Sequence, residues 1–268
     1  MRIVRYKSGA GGPAYGILEA DNQIVSIEGD IFGAWSRSSS HIPLDQAKLL
    51  APVRPPNLLA IGLNYRQHAV ESSIEIPKTP ALFIKASTAV IGPDDPIVLP
   101  SIAPNEVDYE VELAIVIGKL AHHISENAAP DYILGYTCAN DVSARDVQLR
   151  LDMQWTRGKS FDTFAPLGPW IETELDADSC ALRTRLNGTV VQDSNTSDLI
   201  FGTRYLVHFL SQCMTLLPGT VILTGTPPGV GFARTPPIFL KEGDVVEVEV
   251  EGIGALRNPV ITEKTKFG

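Results

Sequence analysis

The sequence predicts a β-rich mixed α+β fold. Short apolar runs bounded by turn residues recur along the chain, and Asn187-Gly188 joins two of them as a tight hairpin turn. The predicted strands do not alternate regularly with long helices, which disfavours a doubly wound parallel sheet. The chain has 268 residues, of which 44% are hydrophobic and 20% are charged. A chain of this length and composition can bury a large core.

The N-terminal residues predict a small β-rich domain over 1–52. Its expected elements are strands over 2–6, 14–19 and 23–28 and a short helix over 44–50. The prolines of segment 51–56 can neither continue a helix nor pair in a central strand, so we expect a linker there. A larger domain over 53–268 should follow.

The larger domain also consists mainly of predicted strands. They are expected over 57–61, 81–85, 96–99, 107–118, 133–140, 167–173, 181–186, 189–192, 220–225 and 244–251. The best helical pattern runs over 198–214, where Ser197 or Asp198 can cap the first turn. Shorter helices are expected over 65–72 and 145–151.

Composition excludes several classes of protein. The formal net charge is -9 and no basic run is present, so nucleic acid is an unfavourable partner. No apolar stretch is long enough to span a membrane, and the N-terminus lacks the apolar core of a signal peptide. We therefore expect no membrane partner and a cytoplasmic protein. The three cysteines have no CxxC spacing, which argues against a disulfide framework or a zinc site.

The acidic strand beginning at Asp108 is the most informative segment. In an extended strand, Asp108, Glu110 and Glu112 share one face with Ala114 and Val116, so this face begins acidic and becomes apolar. A strand covered on both sides would bury two carboxylates, which then need a cation or a shared proton. The alternative is a solvated strand face that carries glutamates.

A third acid favours the cation. Asp141 follows an apolar strand, where an Asp is more often the N-cap of the next helix. Together, Glu110, Glu112 and Asp141 would form an all-oxygen site suited to Mg²⁺ or Mn²⁺. The coordination positions left open could chelate a bidentate 2-oxo acid and still hold water.

A series of motifs resembles one known family. They are LLAIGLNYRQHAVES (58–72), PALFIKAST (80–88), DYEVELAIVIGK (108–119), ILGYTCANDVSARDVQ (133–148), WTRGKSFDTFAPLGPW (155–170) and ILTGTPPGVG (222–231). In composition, order and spacing, residues 57–262 resemble the fumarylacetoacetate hydrolase (FAH) superfamily. The N-terminal module resembles one that many bacterial members carry.

The resemblance implies a rolled mixed β-sheet catalytic domain of the FAH type, normally assembled as a homodimer. It places the metal triad on Glu110, Glu112 and Asp141, with Mg²⁺, Mn²⁺ or sometimes Ca²⁺ as the cofactor. The implied substrates are small 2-oxo or 2,4-dioxo acids. The implied reactions are C–C hydrolysis of acylpyruvates, decarboxylation of oxaloacetate-like acids, and keto–enol or double-bond isomerisation.

His68 and Glu71 are a candidate acid–base pair. Their i, i+3 spacing lets them touch across one helical turn, where the carboxylate would orient the imidazole and raise its basicity. A His on a short helix is usually an ordinary surface or core residue. The resemblance places this pair on a mobile catalytic lid that closes over substrate.

Four further residues are candidate site residues. The resemblance places Lys159 beside the metal, where it could stabilise an enolate or hold a carboxylate; by itself it would be a solvated loop lysine. Arg145 could pair with Asp141 or Asp146 as a brace, or it could equally clamp a substrate carboxylate. Gln148 could donate to a substrate oxygen, and the resemblance implies that the glycine-rich turn brings Thr226 to the substrate.

The sequence thus predicts a divalent-metal-dependent C–C hydrolase of a small 2,4-dioxo acid. His68 and Glu71 would activate water, and Lys159 would stabilise the leaving enolate. An oxaloacetate-type decarboxylase and a hydroxymuconate- or oxaloacetate-type isomerase remain alternatives, because all three reactions need the same electron sink. A non-catalytic protein that binds metal or 2-oxo acids is a further alternative.

Overall fold

A computed structural model describes residues 1–264. The last four residues of the predicted second domain, 265–268, lie outside the described residues. The fold is β-rich with mixed parallel and antiparallel pairing and few helices, so the predicted fold class is confirmed. No helix among residues 1–264 is long and apolar enough to cross a membrane.

The strands and helices have the following bounds. The strands are β1 Arg2–Lys7, β2 Ala14–Leu18, β3 Gln23–Gly29, β4 Trp35–Pro43, β5 Lys48–Leu50, β6 Leu58–Gly62, β7 Ala81–Lys85, β8 Val90–Ile91, β9 Ile97–Leu99, β10 Val107–Asp108, β11 Val111–Ile117, β12 Ile133–Asn140, β13 Ser143–Ala144, β14 Ala165–Glu172, β15 Ala181–Leu186, β16 Thr189–Asn195, β17 Val221–Leu223, β18 Val245–Val250 and β19 Gly254–Thr262. The α-helices are α1 Arg66–Glu71, α2 Thr156–Lys159 and α3 Thr203–Cys213. A π-helical turn covers Val147–Leu151, and short 3₁₀ turns cover Leu44–Gln46, Ser87–Ala89, Glu126–Tyr132, Thr196–Asp198 and Gly231–Ala233.

The strands form three sheets. The largest has the order β4-β3-β2-β1-β14-β12-β11-β17-β6-β7, with β5 also pairing with β1 and β8 with β14. A five-stranded sheet has the order β16-β15-β18-β19-β9, and β10 pairs with β13 alone. The four N-terminal strands extend the largest sheet, because β1 pairs with β14. The division into two folding domains at residue 52 stays a prediction.

Strand β11 lies in the middle of the largest sheet and is buried along its whole length. Val111 and Leu113 pack into the core shared with the five-stranded sheet. Ala114 and Val116 pack into a separate core on the opposite face. The strand is therefore covered on both sides, as its face pattern predicts, and the acidic residues at its start are removed from water.

The N-terminal module differs from expectation at residues 44–50, where the predicted helix is wrong. A 3₁₀ turn covers Leu44–Gln46, and β5 follows it. Strand β5 pairs antiparallel with β1, so its backbone groups are satisfied by the sheet, and Leu49 packs against the adjacent core. Tertiary pairing outweighs the local helical preference of this short segment. Strand β4 was not predicted, because its polar, serine-rich sequence lacks an alternating apolar pattern.

The predicted helix over 198–214 begins later than expected, at Thr203. Neither Ser197 nor Asp198 caps it. The Asp198 carboxylate instead accepts a hydrogen bond of 3.0 Å from the backbone N–H of Gln67 in the first turn of α1. The chain is kept out of the helix before α3 because the Asn64 side chain accepts the Phe201 N–H at 2.9 Å and its backbone oxygen accepts from Ile200. Asp198 therefore serves the first turn of α1, and its predicted role as the cap of α3 is wrong.

Three other predictions can be compared with the structure. The strand expected over 107–118 is interrupted at 109–110, between β10 and β11. The helix expected over 145–151 is the π-helical turn, and the Asp146 carboxylate accepts its first N–H at 2.8 Å. The Asn187-Gly188 hairpin is confirmed, with both residues at positive φ and Leu186 paired with Thr189.

Candidate active site

A cavity of about 260 Å³ lies at the start of β11. All the predicted site residues line it except Glu71, which bonds to one of the lining side chains. The predicted residues in its wall are His68, Glu110, Glu112, Asp141, Arg145, Gln148, Lys159 and Thr226. Apolar side chains, among them Phe83, Trp155 and Phe232, complete the wall. The cavity therefore combines buried charge with an apolar enclosure, as in many small-molecule sites.

The three predicted metal ligands lie together because of the pairing between β11 and β12. Val111 pairs with Asn140, and the Asp141 N–H donates to the Glu110 carbonyl oxygen at 2.9 Å. Each of Glu110, Glu112 and Asp141 offers one carboxylate oxygen, and these atoms lie within 4.8 Å of one another. All three residues are buried, with no more than 6% of their surface exposed. The grouping inferred from the sequence is thus present in the fold.

Two buried lysines face these carboxylates. The Lys159 ammonium lies 2.8 Å from Glu110 and 2.6 Å from Asp141, and the Lys85 ammonium pairs with the other oxygen of Asp141. Burial would lower the pKa of Lys159, but Asp141 and Glu110 outweigh burial and raise it. For Lys85 burial prevails and its pKa is lowered. Lys159 is therefore held as a cation at the centre of the cluster.

The two glutamates differ in their electrostatic surroundings. Burial would raise the pKa of Glu110, but Lys159 and Arg145 outweigh it and lower this pKa to about 2. Burial raises the pKa of Glu112 well above its usual value, and the charges of Asp141 and Glu110 raise it further. Among residues 1–264, the side chain of Glu112 accepts one hydrogen bond, from the Gly225 N–H. Its carboxylate is the one most in need of a further cation.

The donor set fits a hard divalent ion. Three convergent carboxylates with one oxygen each are typical of sites for Mg²⁺ or Mn²⁺, which retain open positions for water and substrate. A divalent ion would also favour the ionised form of Glu112, which burial and the charges of Asp141 and Glu110 disfavour. Glu110, Glu112 and Asp141 are therefore the residues that would hold it.

Arg145 is a brace in this structure. Its Nε lies 2.9 Å from Asp108, a terminal nitrogen lies 2.7 Å from Glu110, and the other lies 2.9 Å from the Gln148 side-chain oxygen. Asp108 also accepts N–H groups from Gly231 and from Phe232, at 2.7 and 3.0 Å. The brace is therefore formed with Asp108 and Glu110, and the predicted partners Asp141 and Asp146 are wrong.

Gly231 makes this arrangement possible. A Cβ atom there would lie 1.9 Å from the Ile238 carbonyl oxygen and 2.5 Å from the Asp108 carboxylate. Only glycine leaves room for this approach, so the last glycine of the motif at 222–231 serves Asp108.

The predicted acid–base pair is formed on α1. His68 Nδ1 lies 2.9 Å from the Glu71 carboxylate, whose other oxygen accepts the Gly229 N–H at 2.9 Å. Burial would raise the pKa of Glu71, but the hydrogen bonds from His68 and Gly229 outweigh burial and lower it. The ionised carboxylate orients the imidazole, and only 8% of His68 is exposed. This geometry allows His68 to accept or donate a proton inside the cavity.

The glycine-rich turn after β17 carries Thr226. The Thr226 hydroxyl accepts a 2.9 Å hydrogen bond from the buried Gln192 side chain, which also donates to the Pro227 carbonyl at 3.0 Å. Gly225 adopts a φ of 103°, and a Cβ there would lie 2.7 Å from the Asn64 Cβ. The turn is therefore held on both sides, with Thr226 fixed at the cavity wall.

The sequence did not reveal several residues of the site. Lys85 is the last residue of an apolar strand, and this position was the one feature of the sequence that could have indicated its role in the site. The apolar wall gave no signal, because aromatic residues are common in any core. Phe83 and Trp155 pack edge to face at 5.5 Å, and Trp155 fills the space that a side chain at Gly62 would occupy.

Comparisons with known proteins agree with this architecture. Residues 57–261 match the family described as fumarylacetoacetate (FAA) hydrolase C-terminal, and residues 1–52 match that described as Rv2993c-like, N-terminal. An uncharacterised protein from Archaeoglobus fulgidus is 51% identical over 253 residues, covering 94% of each chain. Oxaloacetate tautomerase Fahd2a, mitochondrial, from Rattus norvegicus is 47% identical over 224 residues, covering 82% of this chain and 71% of the relative.

A solved structure shares this fold. The crystal structure of 5-carboxymethyl-2-hydroxymuconate delta-isomerase from Mycobacterium smegmatis superposes with a TM-score of 0.89 at 45% identity, covering 98% of this chain and all of that chain (100%). The buried carboxylate cluster within this β-rich fold indicates the class of protein, an enzyme with a candidate divalent-metal site. The matches to known proteins identify its family. The chain belongs to the fumarylacetoacetate hydrolase family of enzymes.

Proposed function

We propose that this protein is a divalent-metal-dependent isomerase that interconverts the keto and enol forms of a small 2-oxo dicarboxylic acid. One observation carries the proposal: a buried, oriented His68–Glu71 pair and the Lys159 ammonium serve the same enclosed cavity as the carboxylate triad. The tautomerase and isomerase named among its relatives support this reaction type. Their names favour isomerisation over the hydrolysis expected from the sequence.

Tautomerisation moves one proton between carbon and oxygen, so it needs an acid–base group and a means of stabilising an enolate. A bound divalent ion would supply Lewis-acid stabilisation of the negative charge that develops on the 2-oxo oxygen. His68 would remove the proton from the carbon next to the carbonyl and deliver it to the enolate oxygen, and Glu71 would keep the imidazole in the required tautomer. Lys159 would hold positive charge beside the enolate oxygen, since Asp141 and Glu110 keep it protonated.

Hydrolysis of an acylpyruvate is the second candidate. The observation that favours it is the same His68–Glu71 pair, which has the geometry to deprotonate a water molecule. Decarboxylation of an oxaloacetate-type acid needs the same stabilised enolate but no attacking water. The three reactions differ in their products, so a product assay separates them.

The decisive experiment follows both absorbance and pyruvate. Oxaloacetate and a simple acylpyruvate are each incubated with the protein and Mg²⁺, with and without EDTA. Faster loss of the enol absorbance of oxaloacetate without pyruvate supports tautomerisation. Pyruvate from oxaloacetate would indicate a decarboxylase, and pyruvate from the acylpyruvate would indicate the hydrolase; either one without enzyme-dependent tautomerisation would overturn the proposal.

Matched histidine variants test the acid–base role. His68→Asn should slow tautomerisation by about 10²- to 10⁴-fold, which is the usual contribution of a positioned acid–base group. His122→Asn is the control, because His122 is exposed and is not part of the cavity wall. Full activity of His68→Asn would exclude this histidine as the proton-transfer group.

Three further assignments complete the proposal. We propose Mg²⁺ as the resident ion, with Mn²⁺ and Ca²⁺ as the alternatives that a metal titration would compare. The small 2-oxo acid is the proposed partner, and no nucleic acid or membrane is proposed. The homodimer and the cytoplasmic location stay predictions.

A further inference from the structure

A second cavity, of about 500 Å³, lies between the N-terminal strands and the body of the larger domain. We name it the junction cleft, and it shares no lining residue with the candidate active site. The residues that matter for its chemistry are Arg5, Lys7, Arg54, Ser87, Thr88 and Asp95. Its volume lies within the usual range for sites that bind small molecules, about 300 to 1,000 Å³.

Arg5 is the central feature of the junction cleft. It belongs to β1 and only 8% of its surface is exposed. Within residues 1–264, its side chain makes one hydrogen bond, of 3.3 Å to the Ala51 carbonyl oxygen, and no carboxylate lies within ion-pair distance. A guanidinium has five N–H donors, so most of its capacity is directed to the cleft without a protein partner. These free donors face the open cleft, where water or a bound anion can accept from them.

The surrounding charges are also positive. Lys7 lies two residues after Arg5 and therefore on the same face of β1, and Arg54 lines the cleft from the segment before β6. Burial lowers the pKa of the Arg5 guanidinium, and the charge of Arg54 also acts to lower it. This local excess of positive charge contrasts with the net charge of -9 for the whole chain.

The acidic residue in the cleft wall does not balance this charge. The Asp95 carboxylate lies 2.8 Å from the Lys48 ammonium. Lys48 is also directly opposite Lys7 in the pairing of β1 and β5, a like-charge arrangement that is unfavourable by itself. Asp95 is thus already engaged, and it leaves Arg5, Lys7 and Arg54 without a carboxylate partner in the described part of the chain.

We propose that the junction cleft binds a small oxyanion with two or more negative charges, such as a phosphorylated metabolite or a dicarboxylate. The planar guanidinium of Arg5 matches two oxygens of a phosphate or carboxylate group. Lys7 and Arg54 add charge at the rim, and the hydroxyls of Ser87 and Thr88 add neutral donors. The bound anion would contact both the N-terminal strands and the larger domain. This proposal does not depend on the catalytic reaction.

The test measures binding to the full-length protein by calorimetry, in a chloride buffer from which divalent metal has been removed by dialysis. Inorganic pyrophosphate and succinate are the two probes, and their relative affinities distinguish phosphate from carboxylate chemistry. Arg5→Met should weaken binding by about tenfold or more, as expected when a charge-assisted hydrogen bond is removed. Arg37→Met is the matched control, because Arg37 is an exposed arginine paired with Glu19 and should leave binding unchanged.

Arg54→Met keeps the test informative if Arg5→Met fails to fold. Arg54 is exposed, so its replacement should preserve the melting temperature and still weaken binding. Unchanged affinity in both variants would place the anion elsewhere and overturn the proposal. Absence of binding to the wild-type protein would also overturn it. If Arg5→Met then converts a dimer of the protein to monomers, the anionic partner of the cleft would be a second copy of the chain.

Discussion

The buried Lys85–Asp141 pair allows a quantitative test of the electrostatic design of the site. Lys85→Met keeps most of the side-chain volume and removes the positive charge. Lys85 is 1% exposed, and its ammonium contacts the Asp141 carboxylate and the Val142 carbonyl oxygen. Removal of one partner of a buried ion pair costs about 3–5 kcal/mol. Because Asp141 keeps Lys159 at 2.6 Å, we expect a smaller loss than this, about 2–3 kcal/mol.

Thermal unfolding with EDTA present measures this loss. For a domain of this size, about 1 kcal/mol corresponds to a shift of about 2–4 °C, so Tm should fall by about 4–12 °C. Lys48→Met is the matched control, because Lys48 also pairs with an aspartate but is 61% exposed. Its loss should cost no more than about 1 kcal/mol. Equal shifts for the two variants would refute the claim that Lys85 acts as a buried counter-charge.

Three further predictions concern the metal, pH and thiol chemistry. Saturating Mg²⁺, at about 100 times its Kd, should stabilise the wild type by about 2.7 kcal/mol and stabilise Glu112→Gln far less; an equal rise in Tm would contradict the ligand assignment. The lowered pKa of Glu71 means that its stabilising contribution is present above the usual carboxyl range and is lost as pH falls through the folded value. The Tm advantage of wild type over Glu71→Gln should therefore shrink from about pH 6 to pH 3, whereas a constant difference would argue against an ionised Glu71. Burial raises the pKa of the Cys138 thiol to about 12, so iodoacetamide should label exposed Cys213 in the native protein and spare Cys138, which peptide mass spectrometry would detect.

The sequence predicts the fold best where local chemistry and burial agree. Asn187-Gly188 demands a tight turn, and the hairpin is present at that register. The two alternating faces of β11 can be recognised in its sequence because apolar residues cover both sides of the strand. Residues 44–50 fail this test because pairing with the distant strand β1 determines their conformation, and β4 fails it because its polar sequence carries no alternating apolar pattern. Such pairings leave no local pattern in a chain read by itself.

The candidate site was likewise predicted where the sequence carries a local pattern and missed where contacts between distant residues decide. Three acids on two strands were sufficient to indicate the carboxylate cluster, since an acidic position in an otherwise apolar strand is costly. Lys85 gave a comparable signal but had no visible partner, because Asp141 lies 56 residues away. The choice between brace and clamp for Arg145 depended on Asp108, which reaches it across the sheet. Distances between residues far apart in sequence decide such roles, and they come only from the fold.

The charge balance of the site links the metal to the substrate. The buried acids are Asp108, Glu110, Glu112 and Asp141, and the buried bases are Lys85, Arg145 and Lys159. With all four acids ionised, four carboxylates against three cations leave one net negative charge, a state that the raised pKa of Glu112 disfavours without a further cation. A cavity in this state repels a dianionic substrate. A bound divalent ion would favour the ionised form of Glu112 and reverse the sign of the net charge, so we infer that the anionic acid proposed as substrate would bind productively only after the metal.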